Sequence, residues 1–238
     1  MNTPMNQTAT ASGAGCDMTQ PRAYIRQRSG RHLNLLDPSP DGWTDEDLAI
    51  GLSRTFRWGG HSTWPLPLSV AQHSLTVLVL AKQFAAAPLT RSESLRELLH
   101  DADESLIGGI DAVSPLKPLL GQGFIELTAR LQQAVFTRYN LANWTPAEHK
   151  AHKHADILAA ASEAVHVAGW SAVEVRDILQ IDLSPLAIDP LAEIYDCRPW
   201  EPWAPTVAAD RFLAELTRQE RAPEHPSKSP APLAFAMS

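Results

Sequence analysis

Cysteine is scarce in this sequence, and its scarcity excludes two classes of small, cross-linked fold. The 238-residue chain has two cysteines, Cys16 and Cys197, and they are not spaced as a zinc ribbon requires. Cys16 lies in a polar segment without helical or strand periodicity, so a structural disulfide between the two is not expected. Neither a zinc ribbon nor a disulfide framework is therefore predicted.

Long apolar runs and an excess of positive charge are also missing. No stretch approaches the roughly 18 apolar residues that a membrane-spanning helix needs, and residues 1–20 lack the basic and apolar regions of a signal peptide. The formal net charge is -7, whereas a general nucleic-acid binder needs a basic surface that displaces counterions from phosphates. We therefore expect a cytoplasmic protein that binds neither membranes nor nucleic-acid polymers, and a local pocket for one small anion stays compatible with this charge.

What the sequence does contain is a set of amphipathic helices. Hydrophobic residues make up 44% and charged residues 20% of the chain, as is typical of a globular protein with one core. Composition predicts disordered tails over residues 1–21 and 222–238, on either side of one domain over residues 22–221. Helical spacing of apolar residues and capping signals predict helices at 44–54, 68–84, 91–101, 124–141, 146–167, 171–180 and 205–221. Because residues 24–36 offer only a short extended segment, the expected fold is all-α, with irregular N- and C-terminal extensions.

Four side chains suggest a metal site. His100 and Asp101, at the end of a predicted helix, offer one imidazole nitrogen and one carboxylate to a divalent cation. His73 lies on an apolar helix, and Asp156 lies on an Ala-rich helix that allows close approach of a neighbour. Together they would leave coordination positions for a water that loses its proton near neutral pH and attacks phosphorus. Taken singly, His73 is more typical of a hydrogen-bonded core histidine than of a ligand, and Asp156 is more typical of a capped or salt-bridged carboxylate.

The order of these residues (His, then His-Asp, then Asp) resembles the defining pattern of the HD-domain phosphohydrolase superfamily. Over about residues 30–180, the chain is similar to compact phage and prophage HD hydrolases, which resemble bacterial 5′-deoxynucleotidases and include phage dATP triphosphohydrolases. The segments that carry the similarity are Phe56-Arg-Trp-Gly-Gly-His-Ser, Ser69-Val-Ala-Gln-His-Ser, Leu99-His-Asp-Ala-Asp-Glu, Ser114-Pro-Leu-Lys and His154-Ala-Asp. The resemblance implies an HD-domain helical bundle in which His73, His100, Asp101 and Asp156 bind a divalent metal ion (Mn, Co, Zn or Mg).

The resemblance also implies a catalytic residue and a set of substrate-binding residues. Glu104 matches the acid that orients or deprotonates the attacking water, and its alternative is a solvated helix-end carboxylate. Arg57 and Trp58 match residues that grip phosphate and stack on a base or sugar, and their alternatives are a surface salt bridge and a core aromatic. His61 would donate to phosphate or brace its loop, and Lys117 would neutralise a phosphate oxygen or remain solvated.

The sequence departs from the family pattern near Gly108, and it also contains a second group of possible metal ligands. In the 5′-deoxynucleotidases an acid that faces the sugar directly follows the corresponding glycine. No acid follows Gly108 here, so Asp111 is the candidate for that role, and Asp103 is an extra acid beside the site. Glu163 is either an outer partner of the metal ligands or one member of a buried ion pair. The histidines at 149, 152 and 154 are an alternative metal site, since His152 and Asp156 are one helical turn apart.

The implied function is a metal-dependent phosphohydrolase that acts on a nucleotide, in particular a deoxynucleotide. A nucleotidase would release phosphate, whereas a triphosphohydrolase would attack the α-phosphorus and release triphosphate. The alternatives are a cyclic or signalling nucleotide phosphodiesterase and a non-catalytic HD module that binds a nucleotide. The resemblance further implies a homo-oligomer.

Overall fold

The described part of the chain folds into α-helices with one small β-hairpin. The computed structural model describes residues 22–111 and 114–223. Its helices are α1 (Asp45–Arg54), α2 (Val70–Phe84), α3 (Arg91–Leu98), α4 (Ala102–Leu106), α5 (Gln122–Tyr139), α6 (Pro146–His166), α7 (Ala172–Asp177) and α8 (Pro205–Arg221), with 3-10 helices at Arg57–Gly60 and Ser114–Leu120. Strands β1 (Tyr24–Arg26) and β2 (His32–Asn34) pair antiparallel. The predicted all-α class is confirmed, whereas the predicted tails lie outside the described residues apart from Ala222 and Pro223.

Several helices begin at a residue whose side chain accepts a hydrogen bond from a free backbone N–H group, namely α1, α2, α3, α6 and α7. In α1, the Thr44 hydroxyl accepts a hydrogen bond from the Asp47 N–H at 3.1 Å, and the Asp47 carboxylate accepts one from the Thr44 N–H at 3.0 Å. This reciprocal capping box stabilises the first turn. In α6, Thr145 caps the helix and Pro146 occupies its first turn, where a missing N–H costs nothing. Both starts agree with the predicted ones.

One predicted helix, residues 91–101, ends three residues earlier than expected. Helix α3 ends at Leu98, and α4 begins at Ala102 with Asp101 as its N-cap residue. The His100 Nδ1–H donates to the Glu97 carbonyl oxygen at 2.8 Å, which occupies a backbone acceptor at the end of α3. His100 and Asp101 therefore lie in the turn between two helices and not along one helix face.

Helix α2 lies at the centre of the fold. Every residue from Val70 to Leu78 is buried, as expected of a helix that is covered on all sides. It packs against α6, α3, α1 and α8. On its α6 side, Val77 and Leu80 contact the small residues Ala155 and Ala159. These alanines let the two helix axes approach closely, which brings the middle of α6 alongside α2.

The remaining elements build the main core around α1 and α8. Phe212 of α8 is fully buried in the same cluster as Trp43 and Leu48, so α8 belongs to the core and is not an extension added to it. Where α1 crosses α4, a Cβ atom at Gly51 would collide with the Ser105 hydroxyl. The close contact between these helices therefore requires glycine.

Residues 183–204 form an irregular segment that connects α7 to α8 and crosses α6 and α2. Its Leu186 N–H donates to the Ser162 hydroxyl on α6 at 2.9 Å, and its Trp200 ring stacks on His166 with centroids 4.5 Å apart. On α2, the Gln72 amide donates to the Glu201 carbonyl oxygen and accepts from the Trp203 N–H. The segment thereby joins the two helices that carry His73 and Asp156.

Candidate metal centre

His73 is the innermost of the predicted ligands. Its side chain is completely buried on α2. The Nδ1 atom lies 2.6 Å from Oε1 of Glu163, and the Nε2 atom lies 3.3 Å from Oδ1 of Asp156 and 3.7 Å from Oδ2 of Asp101. The hydrogen bond at Nδ1 leaves Nε2 as the atom directed at the predicted ligands.

His100 presents the same atom to the same place. Its Nδ1 is engaged by the Glu97 carbonyl oxygen, and its Nε2 lies 3.1 Å from Oδ2 of Asp101. Its ring packs edge to face against His73, with centroids 5.3 Å apart. Within the described part of the chain, neither Nε2 atom, although buried, has a hydrogen-bond partner.

These distances match the requirements of a single divalent cation. His73, His100 and Asp156 each offer a ligand atom, and the three atoms lie within 4.8 Å of one another. Two atoms that are each about 2.1 Å from one ion lie about 3–4 Å apart, as the Nε2–carboxylate distances do. Asp101 contacts both histidines but lies outside this group of three. The structure thus brings together all four predicted ligands, with three of them in the tightest set.

Charge in the centre favours ionised carboxylates. Burial and the nearby Arg57 lower the pKa of His73, but Glu163 and Asp156 outweigh both and raise it to about 10. Burial opposes ionisation of Asp101 and Asp156, yet the two imidazoles hold the pKa of each carboxyl well below its usual range. Without a cation, a positively charged His73 imidazole and the ionised carboxylates therefore stabilise each other. Since a neutral imidazole with Nδ1–H bound has its lone pair on Nε2, a divalent cation would replace the proton there.

Arg57 enters the centre from the loop after α1. Its Nε lies 3.2 Å from Oε2 of Glu163, and its Nη1 lies 4.0 Å from Oδ2 of Asp101 and 3.7 Å from Oδ1 of Asp111. The surface salt bridge considered for Arg57 is therefore excluded, because its side chain is only 13% exposed and its partners are the acids of the centre. Asp111, the candidate for the sugar-facing acid, is brought to this point as well.

Glu104 lies in a buried position beside the ligands. Its Oε1 is 3.4 Å from the Lys117 Nζ, and its Oε2 is buried without a hydrogen-bond partner among the described residues. Burial and the negative charges of Asp101 and Asp111 raise the pKa of Glu104 to about 9. Asp103 is buried too, and burial with the charge of Asp101 raises its pKa to about 6. The alternative of a solvated helix-end carboxylate is thus excluded for Glu104.

The remaining predicted residues lie in the loop or at the rim. Trp58 has a left-handed backbone at φ 58, and its ring packs on Ala161, Ala164 and Val175, which is the core position considered for it. His61 is exposed at the C-cap of the short 3-10 helix. Lys153 lies at the rim, where its Nζ contacts Oδ2 of Asp156 at 2.8 Å. The structure therefore places Arg57 against the ligand Asp101 and Lys117 against Glu104, whereas Trp58 and His61 lie in the loop beside them.

The competing histidine cluster has another role. His152 Nδ1 lies 2.8 Å from Oε2 of Glu97, and the His152 ring packs between His100 and Trp144, with centroids 4.9 and 4.6 Å away. His152 therefore packs against His100 and helps to hold its ring in place, while His149 and His154 are exposed. Sequence reasoning missed Glu97, although its position three residues before His100 was a usable signal because it predicts a shared helix face.

Comparison with known proteins identifies a relative of this chain. No family model matches the chain. The uncharacterized protein RCAP_rcc00048 of Rhodobacter capsulatus is 44% identical over 160 residues, which cover 66% of this chain and 79% of that protein.

In the described part of the chain, no helix has both the length and the apolar content needed to cross a bilayer.

Proposed function

We propose that this chain, which belongs to the same family as RCAP_rcc00048, is a metal-dependent phosphohydrolase. Its proposed substrates are nucleotides, in particular deoxynucleotides. The observation that supports this most is the pair of buried Nε2 atoms on His73 and His100. Among the described residues neither atom has a hydrogen-bond partner, and both face carboxylates at the spacing of ligands around one ion. Two imidazoles and two carboxylates are a donor set that suits Mn²⁺, Co²⁺ or Zn²⁺. The resemblance to HD-domain hydrolases supports the same proposal.

A divalent cation in this centre would lower the pKa of a coordinated water and offset charge on a phosphoryl oxygen. Glu104 is the residue that would take the proton of the attacking water. Its Oε2 is free to accept a hydrogen bond, and its Oε1 is held by Lys117. Positive charge between the ligands would oppose Asp101 and lower the raised pKa of Glu104, so that its carboxylate could act as a base.

Three cations around the centre would bind the phosphates. Arg57 has its Nε fixed by Glu163 and its Nη1 turned toward the ligands. Lys117 and Lys153 contact Glu104 and Asp156 from the rim, where their side chains are 38% and 45% exposed. A guanidinium provides two parallel donors to a phosphate and an ammonium provides a mobile point charge. This arrangement suits a phosphate ester, and Asp111 is positioned to accept from a sugar hydroxyl.

Assembly into a homo-oligomer is part of the same proposal. The 3-10 helix that carries Lys117 exposes Leu119 at 81% of its surface, and Leu120 and Ile125 follow it at 45% and 42%. These apolar side chains lie beside the rim of the centre, and a second subunit could cover them. Size-exclusion chromatography with light scattering measures this directly, and a monomeric mass would contradict this part of the proposal.

A substrate screen with product analysis tests the activity. The purified protein is incubated with each dNMP and dNTP in Mn²⁺, Co²⁺, Mg²⁺ or Zn²⁺, and with cyclic nucleotides. Released phosphate indicates a nucleotidase, triphosphate indicates a triphosphohydrolase, and an opened cyclic ester indicates the phosphodiesterase alternative. The absence of turnover on all of them contradicts the proposal and leaves the non-catalytic nucleotide-binding module.

Three variants separate metal binding from chemistry. Asp101→Ala is expected to lose both bound metal and turnover. Glu104→Gln is expected to retain metal and to lose about 10²–10⁴-fold in kcat, the usual effect of removing a general base. Asp177→Ala, at an exposed carboxylate on α7, is the matched control and should behave like the wild type. Undiminished hydrolysis by Asp101→Ala would refute the metal-dependent mechanism.

A further inference from the structure

Glu163 is a buried carboxylate that joins two parts of the centre. It lies on α6 two turns after Asp156, and it is 2% exposed. Its Oε1 accepts from His73 Nδ1 at 2.6 Å, and its Oε2 accepts from Arg57 Nε at 3.2 Å. Each oxygen has a different partner, one on a candidate metal ligand and the other on the arginine beside it.

We infer that Glu163 is a positioning residue that couples metal binding to phosphate binding, by orienting His73 and Arg57 through its two oxygens. The phosphate-binding half of this inference rests on the proposed function of Arg57. The metal-binding half rests only on the geometry of His73. The two halves are measured separately below.

On the His73 side, Glu163 selects the nitrogen that is available to the cation. A carboxylate can only accept at this contact, so the neutral imidazole must carry its proton on Nδ1 and its lone pair on Nε2. Such a carboxylate partner also holds the plane of the ring and raises the basicity of the ligating nitrogen. A glutamine at this position could instead donate its amide to Nδ1, which would move the ring proton to Nε2 and block the ligand atom.

On the Arg57 side, Glu163 determines which edge of the guanidinium is free. The bond at Nε holds the base of the group, while Nη1 lies within 4.0 Å of Asp101 and 3.7 Å of Asp111. Arginine has large rotamer freedom, so fixing it before a phosphate arrives removes an entropic cost of binding. Loss of this bond would therefore weaken anion binding without removing the positive charge.

The carboxylate connects these two effects because it is held rigidly. It lies in the middle of α6, and its helix turn is braced by the neighbouring Ser162, whose hydroxyl donates to Leu158 and accepts from Leu186. A change that tightens one partner of Glu163 is therefore transmitted to the other. Coupling of this kind is reciprocal, so a bound phosphate is expected to strengthen metal binding.

Two affinities test the inference in the full-length protein. Mn²⁺ binding is measured by the EPR signal of the free ion, and binding of inorganic tripolyphosphate is measured by calorimetry at saturating Mn²⁺. Glu163→Gln is expected to weaken Mn²⁺ binding about 10–100-fold, as for other partners of metal-bound histidines, and to weaken tripolyphosphate binding by about tenfold. Arg57→Ala should weaken tripolyphosphate binding. Adding Glu163→Gln to Arg57→Ala should cost no further anion affinity.

The non-additivity of the two changes is a readout that a merely structural role would not produce. If Glu163 only supported the fold, its loss would lower the melting temperature and would weaken anion binding equally in the wild-type and Arg57→Ala backgrounds. Glu163→Asp keeps the charge but is shorter by one methylene, so it should fold and show intermediate affinities for both ligands. If Glu163→Gln unfolds, Glu163→Asp takes its place in the double-mutant cycle with Arg57→Ala. Glu215→Gln is the matched control. Glu215 lies on α8 outside the centre, and it also contacts two cations, Lys82 of α2 and Arg218 of α8.

Each outcome decides the inference. Mn²⁺ affinity within twofold of the wild type in a folded Glu163→Gln variant would overturn it, as would additive losses of anion affinity. A wild type that binds no Mn²⁺ would overturn it too. A wild type that binds Mn²⁺ and tripolyphosphate but hydrolyses no nucleotide would refute the proposed function alone, and the cycle would still decide the role of Glu163.

Discussion

Gln72 connects the segment of residues 183–204 to the central helix, and its removal should have a measurable cost. The side chain is 4% exposed on α2, directly before His73. Its Nε2 donates to the Glu201 carbonyl oxygen at 3.1 Å, and its Oε1 accepts from the Trp203 N–H at 2.9 Å. Gln72→Leu keeps the approximate shape of the side chain and removes both hydrogen bonds.

The expected loss of stability follows from the groups that are left without partners. The Trp203 N–H is in a buried residue, and an unsatisfied buried donor costs about 1–3 kcal/mol. The Glu201 carbonyl oxygen is in a half-buried residue, so water can replace part of its lost bond. Burial of the leucine side chain offsets some of this cost. A net destabilisation of about 1–3 kcal/mol is expected, which lowers the melting temperature by about 3–10 °C for a domain of this size.

Thermal and urea unfolding measure this change, and limited proteolysis locates it. Cleavage within residues 183–204 should become faster in Gln72→Leu, because its attachment to α2 is lost. Gln83→Leu is the control on the same helix, where the side chain is exposed, and it should change stability by less than about 0.5 kcal/mol. If Gln72→Leu and Gln83→Leu were equally stable and equally resistant to protease, the reasoning would be refuted.

Two further predictions concern stabilisation by a bound metal and the loss of stability at low pH. Mn²⁺ at about 100 times its Kd should stabilise the wild type by about 2.7 kcal/mol, which raises the melting temperature by about 5–10 °C. EDTA or Asp156→Ala should abolish this increase. An equal increase in Asp156→Ala would place the ion elsewhere. Although burial opposes its ionisation, hydrogen bonds from Ser29 and Thr44 lower the pKa of Asp47. Its contribution to stability is therefore present above about pH 4 and is lost as pH falls further. The loss of unfolding free energy at acid pH, measured by urea unfolding, should be smaller in Asp47→Asn than in the wild type. An identical loss in the two proteins would contradict this assignment.

Local sequence signals predicted most of the helices correctly. Thr44 and Thr145 each precede a helix and cap it in the structure, since a capping hydrogen bond forms within three residues and depends little on the rest of the fold. The end of α3 was predicted three residues too late, at Asp101 instead of Leu98. Leu98 and Leu99 continue the apolar pattern without glycine or proline, so no local signal marks the end of the helix, and the turn is stabilised by the side chain of His100.

The candidate site shows the same contrast. The residue types and their order identified His73, His100, Asp101 and Asp156 as candidate ligands, and the structure brings them together. The partners that orient these ligands were only partly foreseen: Glu163 was considered in two roles, whereas Glu97 was missed. The contact between Arg57 and Glu163 joins residues that are 106 positions apart, and helical periodicity carries no information about such a distance.

The sequence by itself determined which helices form and which side chains on them can bind a metal, because capping, periodicity and ligand chemistry are properties of short segments. Only the tertiary structure decided that the Nε2 atoms of both histidines face one point, and that Glu163 is shared between His73 and Arg57. Those choices depend on how closely α6 approaches α2, which is controlled by the alanines between them and by the segment of residues 183–204. They are contacts between distant parts of the chain, whose geometry is set when the helices pack.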